Sequence, residues 1–276
     1  MTHPIPENAY VMIIGAMKCG TSSLYSYLKK HPEICPASTK EPEFFSENQK
    51  HGVAIENYSD LWNFDHTVHK YALEASTGYT KYPTEPNVAQ NIFNYGIKPK
   101  FIYIIRNPFE RIASHFNYMR RDESWLANID SPFVIHTSNY FLQLEQYTQY
   151  FPLEDILVLD FDDLKKQPQQ VLQTTYAFLQ LSSSYFPPAY EVKNSTPVES
   201  KIEWSLRRLK LRPWLKQLPE PIKQAGKRLL QRTPPVERRV LTETEKAFIY
   251  RELQASMVRL QQVYGFDVGK WGFDAA

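Results

Sequence analysis

The chain has 276 residues, of which 42% are hydrophobic, 22% charged and 14% aromatic, with a formal charge of +2 and a mean hydropathy of −0.48. This composition excludes a disordered, collagen-like or coiled-coil chain, and the length suffices for one large domain or two small ones. Cys19 and Cys35 alone offer no disulfide framework, no apolar run nears the roughly 18 residues of a membrane span, and MTHPIPENAY lacks the layout of a secretion signal. A cytoplasmic globular protein with no transmembrane segment is the expectation.

Tyr10 to Ile14 (YVMII) is a short apolar run of the kind that forms a buried parallel strand. It enters the loop Gly15-Ala16-Met17-Lys18-Cys19-Gly20-Thr21-Ser22-Ser23, then a helix whose face is Leu24, Tyr27 and Leu28, with Thr21 or Ser22 as its cap and Pro32 beyond its end. Tyr71 to Ala75 is a weaker strand candidate. Phe101 to Ile105 (FIYII) is a second strong strand, leading through Arg106-Asn107-Pro108 into a helix from Phe109 to Met119. Ile156 to Leu159 (ILVL) is a third; it ends in Asp160-Phe161-Asp162-Asp163-Leu164, ahead of the helix QQVLQTTYAFLQL. Strands alternating with helices predict an α/β fold, a parallel sheet covered by helices on both faces in three layers. Ligands of such sheets bind beyond the carboxyl ends of the strands, where all three strong strands here carry polar residues.

After Leu181 the texture changes. Residues 193–239 hold 13 Lys/Arg against 4 Asp/Glu, so the segment carries +9 and the rest of the chain −7. Helical stretches broken by prolines lie there, and the segment reads either as a solvated amphipathic surface or as a face for an anionic acceptor or a membrane. The last helix follows Thr242, with Glu245 completing a capping box. Ile249, Leu253, Ser256, Leu260 and Val263 trace its mostly apolar face. A single domain over residues 1–276 with a basic, proline-broken subregion fits better than two domains.

A glycine-bounded loop between a buried strand and a helix start turns backbone N–H groups toward an anion, and the helix dipole favours negative charge there. Gly15 and Gly20 have the spacing of a nucleotide-triphosphate loop, but Thr21 stands where that loop has its lysine, and Lys18 lies inside the loop instead. The hydroxyls of Thr21, Ser22 and Ser23 add to the anion-binding potential.

These residues carry a resemblance. GAMKCGTSSLYSYLKKHPEI resembles the 5′-phosphosulfate loop of sulfotransferases that use 3′-phosphoadenosine 5′-phosphosulfate (PAPS). FIYIIRNPFERIASHFNYM resembles that family's 3′-phosphate strand and helix, marked by an Arg and a Ser eight residues on, here Arg106 and Ser114. That spacing places a forked guanidinium at the strand end and a hydroxyl about two turns into the helix. Lys40-Glu41-Pro42-Glu43-Phe44-Phe45 is similar to an acidic segment of the glycan (heparan-type) branch, in which the Glu three residues before the first Phe is the general base. ALEASTGYTKYP resembles an E-x-[ST]-P-x-Y element, with Thr77 in place of Pro; ILVLDFDDL and LQQVYGFDVGKWG also look like family segments, with Asp162 in place of Glu in the former.

The resemblance implies a P-loop-like sulfotransferase fold and sulfuryl transfer from PAPS to an acceptor hydroxyl of a saccharide, lipid or small molecule. Lys18 would stabilise the leaving oxygen. The backbone of Lys18, Cys19, Gly20, Thr21, Ser22 and Ser23 would hold the 5′-phosphate, with Arg106 and Ser114 on the 3′-phosphate. Glu41 would take the acceptor proton, best with burial near Phe44–Phe45; Glu43, His31 and His115 are poorer substitutes. Glu74 and Ser76 are expected to orient Lys40 or the acceptor, Tyr79 to line the acceptor cleft, and Lys193 and Asn194 to return to the nucleotide. Cys19 reads as a small loop residue rather than a nucleophile. No His/Cys pattern marks a metal site, no metal is required by this reading, and no specific nucleic-acid partner is expected. The alternatives are a P-loop kinase or nucleotide hydrolase, and a non-catalytic anion- or nucleic-acid-binding module using 193–239.

Overall fold

A computed structural model describes residues 5–47, 57–119, 131–183, 185–187, 190 and 238–273. Five parallel strands form one sheet: β1 (Tyr10–Gly15), β2 (Ile34–Pro36), β3 (Tyr71–Ala75), β4 (Lys100–Ile105) and β5 (Ile156–Asp160). Their order is β2-β3-β1-β4-β5. Every residue of β1 and β3 is buried, as strands covered on both faces require, and this is why they read as apolar runs. Ile13 aligns with Ala75 of β3 and with Ile102 of β4, and Ile105 aligns with Asp160 of β5. The register therefore brings Gly15, Ala75, Ile105 and Asp160 to the same end of the sheet. Sequential connections run to one side of β1 and then to the other, so the order reverses at β1, the place where such sheets open a binding crevice.

Among the described residues the helices are α1 (Thr21–Leu28), α2 (Val88–Tyr95), α3 (Pro108–Met119), α4 (Pro132–His136), α5 (Tyr140–Thr148), α6 (Phe161–Lys166), α7 (Pro168–Phe178) and α8 (Glu243–Tyr264). None is long and apolar enough to cross a membrane. The capping box at the start of α8 is present: Glu245 N–H donates to Thr242 Oγ1 at 3.2 Å, and Thr242 N–H to Glu245 Oε2 at 2.9 Å.

Four local expectations change. The cap of α1 is Gly20 rather than Thr21 or Ser22, because its left-handed φ of 87° starts the helix directly at Thr21. The segment after β5, read only as the polar ending of that strand, forms the separate helix α6, since the Asp160 carboxylate accepts from Asp162 N–H at 2.8 Å and caps it. The buried face of α8 is Ile249, Leu253, Met257 and Leu260. Steps of four, four and three carry that stripe past Ser256 and leave Val263 exposed. β2 was not anticipated: three residues ending in a proline give too short an apolar run. Residues 193–237, with the helices and basic charge read there, lie outside the described residues.

Candidate active site

The loop after β1 is tied to the sheet by Ala16 N–H, which donates to the Ile104 carbonyl at 2.7 Å, and closes on itself through Cys19 N–H and the Ala16 carbonyl at 3.1 Å. Lys18 takes a left-handed φ of 71°. Gly20 is required twice over, by its φ and by space: a Cβ there would lie 2.5 Å from the Phe161 ring. Ser23 N–H and Leu24 N–H donate to the Gly20 carbonyl at 3.0 and 3.1 Å, and the positive end of the α1 dipole lies at the strand ends. Thr21 and Ser23 are buried and Ser22 is half-buried. The Lys18 ammonium sits 4.2 Å above the Tyr118 ring of α3. Cys19 is fully buried and burial pushes its thiol up to about 12, so it is no nucleophile at neutral pH.

Arg106 leaves the end of β4 with its carbonyl held by the Tyr140 hydroxyl at 2.6 Å. Its guanidinium stacks over Phe161 at 4.9 Å. The same ring therefore supports both Gly20 of the loop and Arg106, and sequence reasoning assigned it no role. Both Nε and Nη2 of Arg106 donate to Glu110 Oε2, at 3.0 and 2.6 Å. An anion must displace or share with that carboxylate; the i,i+4 spacing of Arg106 and Glu110 was the available signal. Ser114 lies half-buried on α3, one helical turn before Tyr118 and so on the helix face that meets Lys18. Asp160, besides capping α6, pairs with Lys270, which ties the GKWG segment to the end of β5.

The acceptor-side residues assemble around residues 40–47. Lys40 Nζ donates to Ser22 Oγ at 2.9 Å and lies 3.5 Å from Glu41 Oε1. One side chain thus joins the helix start of the loop to the candidate base. Glu41 and Glu43 both have positive φ, 52° and 50°, so the chain turns sharply on either side of Pro42. The burial expected of Glu41 belongs to Glu43: the Glu41 side chain is 30% exposed, whereas Glu43 is fully buried. Glu43 Oε1 accepts from Gly78 N–H at 2.8 Å and Oε2 from Ser46 Oγ at 3.0 Å. A Cβ on Gly78 would fall 2.1 Å from Glu43 Oε2, so only glycine admits this contact.

Glu74 is equally buried. Its Oε1 accepts from the Tyr58 hydroxyl at 2.6 Å and its Oε2 from Ser76 Oγ at 3.2 Å, while Ser76 Oγ accepts from Glu43 N–H at 3.2 Å. Glu74 and Ser76 therefore brace residue 43 and do not orient Lys40. Burial raises the carboxyls of Glu43 and Glu74 to about 7 each, against the hydrogen bonds that lower them. Tyr79 does not line a cleft: it is buried in the core, its hydroxyl accepting from Phe45 N–H at 3.3 Å and its carbonyl from Tyr147 at 2.8 Å. Phe45 packs on Tyr58 with ring centroids 4.7 Å apart and anchors the loop. The far end of the loop borders an open cavity of about 360 Å³, where Phe44 and Tyr95 meet Asn91 and Asn94.

Both histidines are buried. His31 is buried between Tyr176 and the Ser182 carbonyl. Burial and the neighbouring Arg111, Lys81 and Lys18 push His115 down to about 2 and keep it neutral. Lys81 and Arg111, both buried, carried no periodicity that marked them. Lys193 and Asn194 lie outside the described residues.

A model of the sulfotransferase domain matches residues 9–216. Human heparan sulfate glucosamine 3-O-sulfotransferase 5 is 28% identical over 187 residues, covering 62% of this chain and 53% of that protein. The bifunctional heparan sulfate N-deacetylase/N-sulfotransferase 1 of Caenorhabditis elegans is 28% identical, covering 62% and 22%. A membrane-associated sulfotransferase, kil1 of Dictyostelium discoideum, is 32% identical over 126 residues, covering 44% and 24%. The chain thus spans about half or less of the length of these curated relatives. A sulfotransferase from Alicyclobacillus acidocaldarius superposes with a TM-score of 0.65 at 20% identity, covering 99% of this chain and all of the other, and so shares the fold. With most of its length matched, from before β1 to beyond α7, the chain belongs to the sulfotransferase family.

Proposed function

We propose that this protein transfers the sulfuryl group of PAPS to an acceptor hydroxyl by in-line displacement, releasing 3′,5′-adenosine bisphosphate. The observation that carries this reading is the Lys40 bridge, Ser22 Oγ on one side and Glu41 Oε1 on the other, which sets a proton acceptor beside an anion-binding loop. In the reaction the acceptor oxygen bonds to sulfur as the bond from sulfur to the phosphate oxygen breaks. Glu41 takes the hydroxyl proton, and Lys18 balances the charge that grows on the leaving oxygen. The loop N–H groups with Thr21, Ser22 and Ser23 take the 5′-phosphate, and Arg106 with Ser114 the 3′-phosphate; Lys193 and Asn194 complete the nucleotide side. Positioning and electrostatics dominate such a transfer.

A saccharide hydroxyl is the favoured acceptor. The heparan-directed names of the relatives and the ring-and-amide lining of the cavity beside Phe44 support it. Two free buried thiols support a reducing, cytoplasmic location, and one continuous core cluster supports a single domain. The test is transfer of label from PAPS to glucosamine-containing saccharides, lipids and small hydroxyl compounds. Label is expected on a saccharide with the native chain and absent with Lys18→Ala. Label on none of them would overturn the reading.

A further inference from the structure

Arg111 is the largest side chain wholly removed from water among the described residues, and its hydrogen-bond partners there are neutral. Nε donates to Ser138 Oγ at 2.7 Å, Nη2 to the Val134 carbonyl at 3.1 Å, and Nη1 lies 3.4 Å from His115 Nδ1. Among the described residues no carboxylate pairs with it. A buried charge without a counter-charge is costly, and such charges are ordinarily paired.

Its surroundings point to the counter-charge. Arg111, Ser114 and Tyr118 follow one another at helical spacing on α3, so they share a face. Tyr118 carries the Lys18 ammonium, and Ser114 is the hydroxyl assigned to the 3′-phosphate. The Arg111 guanidinium therefore lies on the face of α3 that meets the loop, removed from solvent.

We propose that Arg111 is a positioning residue by charge: its buried cation, paired with no carboxylate among the described residues, is balanced by the anionic donor bound at the loop. The inference rests on the PAPS reading. A fixed cation in a water-excluded position needs no reorganisation when the anion arrives, and its field is weakly screened by salt. In the free protein it is held by the neutral groups of Ser138, Val134 and His115; the bound state gains the attraction of the anion.

The competing role is a structural tie from α3 to α4, and calorimetry with 3′,5′-adenosine bisphosphate combined with thermal unfolding separates the two. Arg111→Met is expected to weaken bisphosphate binding about tenfold or more while the ligand-free protein keeps its Tm. Two of its neutral partners satisfy each other, because Ser138 Oγ also donates to the Val134 carbonyl at 3.0 Å. Arg111→Lys is expected to retain native affinity within about threefold, and Ser138→Ala to leave it unchanged. A folded Arg111→Met chain that binds like the native protein, or a Ser138→Ala chain that binds as poorly as Arg111→Met, overturns the proposal. Should Arg111→Met not fold, tenfold weaker binding by Arg111→Lys overturns it. Failure of the native chain to bind the bisphosphate contradicts the PAPS reading instead.

Discussion

The half of the site proposed for the donor presents Lys18 and Arg106 partly exposed on a glycine loop and a strand end, whereas the half proposed for the acceptor holds Glu43 and Glu74 entirely out of water. On the donor side the charges are a lysine, an arginine and backbone dipoles. On the acceptor side two carboxyls raised to about 7 share a web of hydroxyls and backbone N–H groups. The division matches the two tasks: an anion is held by fixed charge, while proton removal needs a carboxylate kept in one geometry. Lys40 joins the two halves by direct side-chain contacts on both sides.

Variants that separate the halves test the comparison most severely. Glu41→Gln is expected to lower turnover by roughly 10²–10⁴ with bisphosphate binding unchanged, as single-turnover assays and calorimetry on one preparation would show. Lys18→Ala is expected to lower turnover by roughly 10²–10³ with a smaller loss in binding. A collapse of bisphosphate affinity in Glu41→Gln would mean that the halves are not separate.

Two glycines give a matched pair of smaller effect. Gly20→Ala drives a methyl into Phe161 at a left-handed position and is expected to destabilise the donor loop by about 1–3 kcal/mol, weakening bisphosphate binding. Gly78→Ala drives a methyl into Glu43 and is expected to cost acceptor turnover by a similar factor while binding survives. Equal damage to binding in both would erase the distinction.

Proton linkage sharpens it further. Glu43 and Glu74 titrate at about 7 against an ordinary value of 4.5. Between those values the native chain holds protons that the unfolded chain has released, so stability falls as pH rises through the window. Their contribution is fully present below 4.5 and lost above about 7. Thermal scans are expected to show Tm falling from about pH 5 to about pH 8, and the double variant Glu43→Gln, Glu74→Gln to flatten that slope. The smallest effect is at Arg106: Glu110→Ala removes the carboxylate on its fork and is expected to tighten bisphosphate binding about twofold, measured at low salt.

The donor half was the more legible in the sequence. Strands buried on both faces show as apolar runs, and glycine spacing with Lys18 is local in the chain, so β1, β4 and the loop could be placed before any contact was known. The acceptor half depends on which of two glutamates turns inward. The positive φ values at 41 and 43 decide it, and a KEPE string carries no sign of them. Phe161, Lys81 and Arg111 act through packing between distant segments, which no periodicity encodes. Tyr79 was misplaced for the same reason: an aromatic after a strand reads equally as cleft or core, and here Phe45 and Tyr147 claim it.

The central claim is that a PAPS-type nucleotide binds at the loop around Lys18 and at Arg106. Calorimetry of 3′,5′-adenosine bisphosphate with the native chain tests it most directly. The account predicts saturable binding that weakens with Arg106→Ala. No binding at high micromolar ligand, or binding indifferent to Arg106→Ala, would contradict it.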